Sequence, residues 1–455
     1  MRGTSRRGMP RALPMAVSMT LFLAALGVGM TGAPVYGQDT PERIAADVAS
    51  DLANHRIAEI VARFTPDMAM GLPAPTLDKV WSGVLQHGGA VRELGPARLV
   101  QVSGAGAALV IVPIRLERMA LDLKVSVAHD KVAGLFMSPA EAPAPAWSAP
   151  AYVEAAAFTD VEVTIGAAPT ALGGTLSLPK TAEKVPAVVL IHGSGPNDRD
   201  ETIGPNRPFR DIAEGLASRG VAVLRFDKRT KVHREQLSAT ATVREETMDD
   251  VVAAVALLAA RKEIDADRIV IVGHSLGGTV APRIAAGGHG IAGVVIMAGA
   301  SRPLPVLLVE QVEYLATLNG PPDEAALRRI AEIKSDAARA MAAQPGDTGA
   351  KILGASPTYW ADLNAYDPAS AAAQLSVPLL ILQGGRDYQV RTADLQRFKA
   401  ALAEHPNATI REFPKLNHLF MAGEGKSRPE DYRIAGHVDG DVIETLAQFV
   451  AGVKK

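Results

Sequence analysis

One pentapeptide constrains this chain more than any other feature. Gly273-His274-Ser275-Leu276-Gly277 sets a serine between two glycines, directly after the strand-like run Arg268 to Val272 and directly before a helical stretch from Gly278. A chain that leaves a buried strand and enters a helix in so few residues forces the central residue into a strained backbone conformation. Side chains two residues to either side would collide, so both must be glycine. The turn lifts the serine hydroxyl to the sheet edge and aims the amino-terminal dipole of the helix at it.

The surrounding pattern supplies the sheet that such a turn needs. From about residue 155 onward, short apolar runs alternate with amphipathic helical segments, the rhythm of a mostly parallel sheet covered on both faces. Eight strands are expected, over 161–165, 174–178, 187–191, 221–226, 268–272, 293–297, 378–383 and 408–413. The first two flank a Gly/Pro-containing turn region and are expected to pair antiparallel. Between the sixth and seventh lies an insertion of strongly helical character, about 304–343, with Pro321-Pro322 in its middle. It is read either as a lid over the carboxyl ends of the strands, where open α/β sheets bind ligands, or as a packing insert.

A serine hydroxyl needs a base within hydrogen-bonding reach and a third group to orient that base. Behind a G-x-S-x-G turn the chain order is serine, acid, histidine. Asp387 emerges just beyond the seventh strand, after Gly384-Gly385, and His418 follows the eighth in Phe413-Pro414-Lys415-Leu416-Asn417-His418. Ser275, Asp387 and His418 are therefore the expected catalytic triad. His274, His405, His437, Asp367 and Asp394 are worse placed. The oxyanion hole is expected from the backbone N–H of Leu276 and one from His192-Gly193-Ser194-Gly195 after the third strand, with Ser194 the chosen donor. Asp227-Lys228-Arg229 ends the fourth strand and reads as support for the site, as a substrate-binding edge or as a solvated turn. Tyr359 and Trp360, with Tyr366 nearby, are candidates to line the substrate pocket or to pack the core; aromatic residues make up only 4% of the chain.

Composition closes other routes. With no cysteine among 455 residues, disulfides, thiolate metal sites and cysteine nucleophiles are excluded. No cofactor or metal is called for. The first residues read as an address: Arg2, Arg6, Arg7 and Arg11 precede an apolar run over 15–30, short of the roughly 20 residues of a membrane span. A signal peptide over 1–37, cleaved near Gly37, implies a periplasmic or secreted bacterial protein without stable membrane insertion after processing; an uncleaved anchor is the alternative. Loss of four arginines and no acid takes the net charge from −2 to −6, which argues against nucleic acid as a partner. Residues 40–137 read as a small α+β domain, with one helical pattern through Ile44, Val48, Leu52, Ile57 and Ile60 to Phe64 and three strands at 97–102, 107–116 and 121–128. A Pro/Ala-rich linker over 138–154 separates it from the α/β domain at 155–455.

The stretches His192 to Glu201, Asp227-Lys228-Arg229-Thr230, Gly273 to Gly278 and Gln383 to Val390 together resemble bacterial carboxylesterases of the α/β-hydrolase fold that carry an extra amino-terminal domain. The resemblance covers residue 155 to the end. It implies an eight-stranded mostly parallel sheet with a helical lid, the triad named above, and a small-molecule substrate, a short- to medium-chain acyl ester. It also implies that the first domain is similar to the small α+β domain of nuclear transport factors. Ser194 departs from the glycine-rich oxyanion loop of lipases. A related reading keeps the triad but cleaves amides or short peptides, for which Glu310 and Glu313 would receive a charged amino terminus. A third is a non-catalytic binding protein.

Overall fold

The computed structural model describes residues 40–102, 108–128, 130–140 and 147–454. The leader and its cleavage site lie outside the described residues, as do 141–146 of the expected linker.

The first domain packs helices α1 (Pro41–Ala53), α2 (Ile57–Ala62), α3 (Pro66–Gly71) and α4 (Ala74–Gly88) with an antiparallel sheet. Its strands are β1 (Val91–Leu94), β2 (Arg98–Val102), β3 (Ala108–Leu116), β4 (Ala120–Ala128) and β5 (Lys131–Pro139). Thr40 caps α1 through its hydroxyl, and Pro41 sits where a missing N–H costs nothing. The single helical pattern expected over 44–64 is two helices, because His55 takes a left-handed turn at φ 56°. Ile44, Val48, Leu52, Trp81, Val110, Val112, Leu123 and Val125 form a core of their own. β1 and β5 add to the three expected strands, and β5 runs on to Pro139.

The second domain builds its sheet from β6 (Phe158–Ile165), β7 (Leu172–Pro179), β8 (Val185–Ile191), β9 (Ala222–Phe226), β10 (Ile264–His274), β11 (Ile291–Met297), β12 (Leu379–Gly384) and β13 (Ala408–Phe413). Their order is β13-β12-β11-β10-β8-β9-β7-β6. β6 and β7 pair antiparallel, β7 meets β9 antiparallel, and all remaining neighbours are parallel. The helices are α5 (Pro208–Ala217), α6 (Arg229–Val232), α7 (Asp249–Ala259), α8 (Leu276–Ala286), α9 (Leu304–Thr317), α10 (Glu324–Met341), α11 (Pro357–Asn364), α12 (Pro368–Ala373), α13 (Thr392–Ala401) and α14 (Gly440–Gly452). The inner strands are buried on both faces, whereas the edge strands β6 and β13 leave charged residues exposed. Along β10, Ile269 and Ile271 enter the core beneath α7 and α8, while Val270 and Val272 enter the core shared with α5 and α14.

This topology creates the site. The chain runs from β8 to β9 on one side, then crosses to β10 on the other, so the loops leaving β8 and β10 face each other across a switch point. The insertion between β11 and β12 is longer than the expected 304–343, since α11 and α12 continue it. Residues just after the undescribed part of the linker are held to the second domain: the Trp147 indole donates to Asp211 at 2.8 Å and the Tyr152 hydroxyl to the Val438 carbonyl at 2.8 Å.

Candidate active site

Ser275 sits between β10 and α8 with φ 54° and ψ −117°, a conformation costly for a residue with a side chain. The neighbouring glycines make the turn possible. A Cβ on Gly273 would overlap the Gly277 carbonyl, and one on Gly277 would overlap the Ile191 carbonyl of β8. The Ser275 N–H donates to the Met297 carbonyl at 2.9 Å, tying the turn to β11. The side chain stays partly exposed, and its hydroxyl has no hydrogen-bond partner among the described residues.

Asp387 and His418 are brought together by the same economy of glycine. The loop after β13 must fold back across β12, and it passes directly over Gly384 and Gly385. A Cβ on Gly384 would lie 2.6 Å from the Asn417 carbonyl oxygen, and one on Gly385 would lie 2.8 Å from Pro414 Cα. The Asn417 side chain then accepts the N–H groups of Leu419 and Met421, fixing the turn that carries His418. His418 Nδ1 donates to Asp387 Oδ2 at 2.7 Å, and both side chains are buried. Asp387 is itself held: Oδ1 accepts Gln389 N–H at 2.7 Å and Val390 N–H at 3.0 Å, and Oδ2 accepts the Gln383 amide at 3.2 Å. With Nδ1 protonated toward Asp387, a neutral His418 keeps Nε2 free to accept a proton.

His274 links this pair to the serine turn. Its Nε2 donates to the His418 carbonyl at 2.9 Å, and its Nδ1 forms an ion pair with Glu201 Oε2 at 2.8 Å, the carboxylate lying off the N–H axis. Both ring nitrogens therefore face acceptors, the arrangement of an imidazolium. Burial opposes charge on His274, but Glu201 outweighs it and raises the pKa; burial likewise opposes charge on Glu201, and His274 outweighs it and lowers the pKa. His192, by contrast, is pushed down to about 4 by burial and packs as a neutral ring between Phe209 and Phe226.

The loop after β8 faces the serine. A Cβ on Gly193 would come within 3.2 Å of Ser275 Cβ. Neither the Ser194 N–H nor the Leu276 N–H is engaged in a hydrogen bond among the described residues, so two donors stand open beside the serine.

Other candidates are occupied elsewhere. The Trp360 indole is buried in the core and donates to the Ile352 carbonyl at 2.6 Å. Tyr359 stacks edge-on against it, and burial together with the nearby Glu246 carboxylate raises the pKa of its hydroxyl. Glu310 is gripped by Arg302 at 2.6 and 3.0 Å, and Glu313 pairs with Lys334 at 2.7 Å, so neither is a free receptor for an amino terminus. Among the rival acids, Asp367 caps α12 and Asp394 is bound by Arg302. His405 bonds the Leu375 carbonyl, and His437 pairs with Asp211. A cavity of about 620 Å³ opens beside the Asp387 loop, bounded by Tyr314 of α9, Arg386, Tyr388, Arg391 and Lys426. Among the described residues, no cluster of His, Asp or Glu could hold a metal ion, and no helix is long and apolar enough to cross a membrane.

Residues 188–433 match the model of the alpha/beta hydrolase family. Esterase EstD of Thermotoga maritima is 37% identical over 382 residues, spanning 83% of this chain and 88% of EstD. The chain belongs to the α/β-hydrolase family. Solved structures with detectable likeness include Est1E from Butyrivibrio proteoclasticus, at 17% identity, TM-score 0.40 and coverage of 64% of this chain and 99% of that one. Another is the Pyrococcus horikoshii acylaminoacyl peptidase, at 15% identity, TM-score 0.45 and coverage of 81% and 57%.

Two residues of this hydrolase lay beyond sequence reasoning. Glu201, at φ 50° and buried, accepts the Gly193 N–H through Oε1 at 2.7 Å while pairing with His274. Glu246 sits on a π-helical turn, Arg244–Met248, and pairs with Lys228 at 2.7 Å. Of the charged run 227–229, Lys228 is fully buried, Arg229 pairs with Asp250 and Asp227 with Arg199. No local signal announces these pairs, although a charged run at the end of a parallel strand marks where to look.

Proposed function

We propose that this chain is an exported serine carboxylesterase that acts through an acyl-enzyme on Ser275. The observation that carries the proposal is the Asp387–His418 pair, held at the carboxyl ends of β12 and β13 and tied through His274 to the serine turn. Kinship with an esterase over most of both chains supports ester hydrolysis as the activity.

In the mechanism, Ser275 Oγ attacks the ester carbonyl as His418 Nε2 takes its proton. Asp387 holds the resulting imidazolium in place. The tetrahedral oxyanion accepts the Leu276 and Ser194 N–H groups, each donor worth roughly 10²- to 10³-fold in rate. His418 returns the proton to the alkoxide oxygen, the alcohol leaves, and water enters by the reverse route to release the acid. The substrates are short- to medium-chain acyl esters. The leader, cleaved near Gly37, directs the protein to the periplasm or the medium, and the first domain is of the kind seen in nuclear transport factors.

The test uses the chain from Gln38 onward with p-nitrophenyl acetate, butyrate and octanoate beside a Ser275→Ala variant. Turnover by the wild type with loss of several orders of magnitude in the variant is expected. Equal activity of the two proteins, or faster turnover of an aminoacyl anilide than of any ester, would overturn the reading.

A further inference from the structure

Serine turns of this kind explain one oxyanion donor, the N–H just after the nucleophile, but not how the second is aimed. The loop after β8 is short, rich in glycine and exposed from Ser194 to Pro196. A free Gly-Ser-Gly segment samples many peptide orientations. Here its orientation is fixed from behind.

The carbonyls of Gly193, Ser194 and Gly195 are each taken by a side-chain donor. Gly193 O accepts Lys228 Nζ at 2.8 Å and Asn197 Nδ2 at 3.1 Å; Ser194 O accepts Asn197 Nδ2 at 3.2 Å; Gly195 O accepts the Thr230 hydroxyl at 3.1 Å. In a planar trans peptide the N–H points opposite to the C=O, so turning the Gly193 carbonyl toward Lys228 turns the Ser194 N–H away from it. The preceding peptide is set independently, because the Gly193 N–H is spent on Glu201. That bond removes Gly193 as a rival donor and leaves Ser194.

Both anchors are buried charges with their own partners. Lys228 is 1% exposed and pairs with Glu246; Glu201 is 2% exposed and pairs with His274. A buried ion pair is commonly no more stabilising than an apolar pair of the same volume, so two of them on one glycine call for a geometric role.

We propose that Lys228 and Glu201 are positioning residues that clamp the two peptides of Gly193 and aim the Ser194 N–H at the developing oxyanion. The proposal rests on the acyl-transfer reading above and deepens it. The clamp acts on the transition state, whose oxygen is charged, far more than on the neutral ground-state ester.

The experiment compares p-nitrophenyl butyrate with its thiono analogue, in which sulfur replaces the carbonyl oxygen and accepts hydrogen bonds poorly. The variants are Lys228→Met/Glu246→Met, which removes the ion pair without stranding a charge, and Asn197→Ala at a partly exposed position. A third, Glu201→Gln, weakens the hold on the Gly193 amide. The expected result is a fall in kcat on the oxygen ester of roughly 10- to 100-fold, within the range for one oxyanion donor. KM should change less than about threefold, because ground-state binding is untouched. Thionoester turnover should fall much less, so the preference for the oxygen ester shrinks in folded protein. Glu201→Gln should shrink it in the same direction and carries the test if the double variant does not fold, and Asn197→Ala should shrink it by a smaller factor. Equal losses on both esters, or an unchanged preference, would overturn the clamp. A wild type that matches Ser275→Ala would instead defeat the acyl-transfer reading itself.

Discussion

Replacing Asp387 by Asn changes one oxygen for an NH₂ group, and the surroundings decide which way the amide turns. Oδ1 accepts two backbone N–H groups, from Gln389 and Val390, whereas Oδ2 accepts His418 Nδ1 and the Gln383 amide. Placing NH₂ at the Oδ1 position would set it against two fixed backbone donors. Placing it at the Oδ2 position sets it against Gln383, whose amide also reaches the Gly384 and Val390 carbonyls, and against His418, whose ring can change tautomer. The second orientation is favoured. His418 must then accept at Nδ1 and carry its proton on Nε2, which disables it as a base toward Ser275. The same tautomeric trap in other serine triads lowers kcat by about 10⁴, or roughly 5.5 kcal/mol of barrier. Asp387→Asn should therefore lose three to four orders of magnitude in kcat on p-nitrophenyl butyrate near neutral pH, with KM and the melting temperature little changed. Activity within tenfold of the wild type would refute the assignment of Asp387.

Strain at Ser275 predicts a trade between stability and activity: Ser275→Gly should abolish turnover yet raise stability by about 1 kcal/mol, the net of relieved strain and glycine entropy. A melting temperature below that of the wild type would contradict it. The Glu201–His274 pair predicts a pH window, measured by urea unfolding of the wild type and Glu201→Gln. The Glu201 pKa lies below its ordinary 4.5, so its contribution is present above that value and is lost as pH falls through the folded pKa. The His274 pKa lies above its ordinary 6.5, so its contribution is present below that value and is lost as pH rises through the folded pKa. The stability difference should peak between these limits at about 3 kcal/mol or more, and a difference that is flat with pH would be inconsistent with an ion pair. Trp360→Ala should cost about 3–5 kcal/mol as a core cavity while leaving the acyl-chain profile unchanged; an altered profile in folded protein would restore Trp360 to the pocket.

What could be read from the sequence was what is local. The inner strands of the second domain announce themselves by short apolar runs and the outer ones, β6, β7 and β13, by alternation of apolar and polar residues, and the glycines around Ser275 follow from a steric rule spanning five residues. Asp387 and His418 were placed by their position after strands, and Gly384-Gly385 make sense once the loop to His418 is seen to cross them. β5 of the first domain has no clear strand signal, because Gly134 and Pro139 interrupt it and it runs into the Pro/Ala segment. The break at His55 was hidden because apolar spacing carries on across it. Pairings between distant parts of the chain were illegible: Glu201 meets His274 seventy-three positions later, and Lys228 meets a glutamate displayed by a π-helical turn. Trp360 and Tyr359 show the limit of composition, since scarce aromatic residues can line a pocket or, as the Trp360 indole does, fill a core.

A fluorophosphonate probe reacts only with an activated serine, and Ser275 is the residue it should mark. Incubation of the folded chain followed by peptide mass mapping should find one adduct, on Ser275, formed far more slowly in His418→Ala and absent from Ser275→Ala. An adduct on another residue, or folded and active protein that takes up no probe, would rule out Ser275 as the nucleophile.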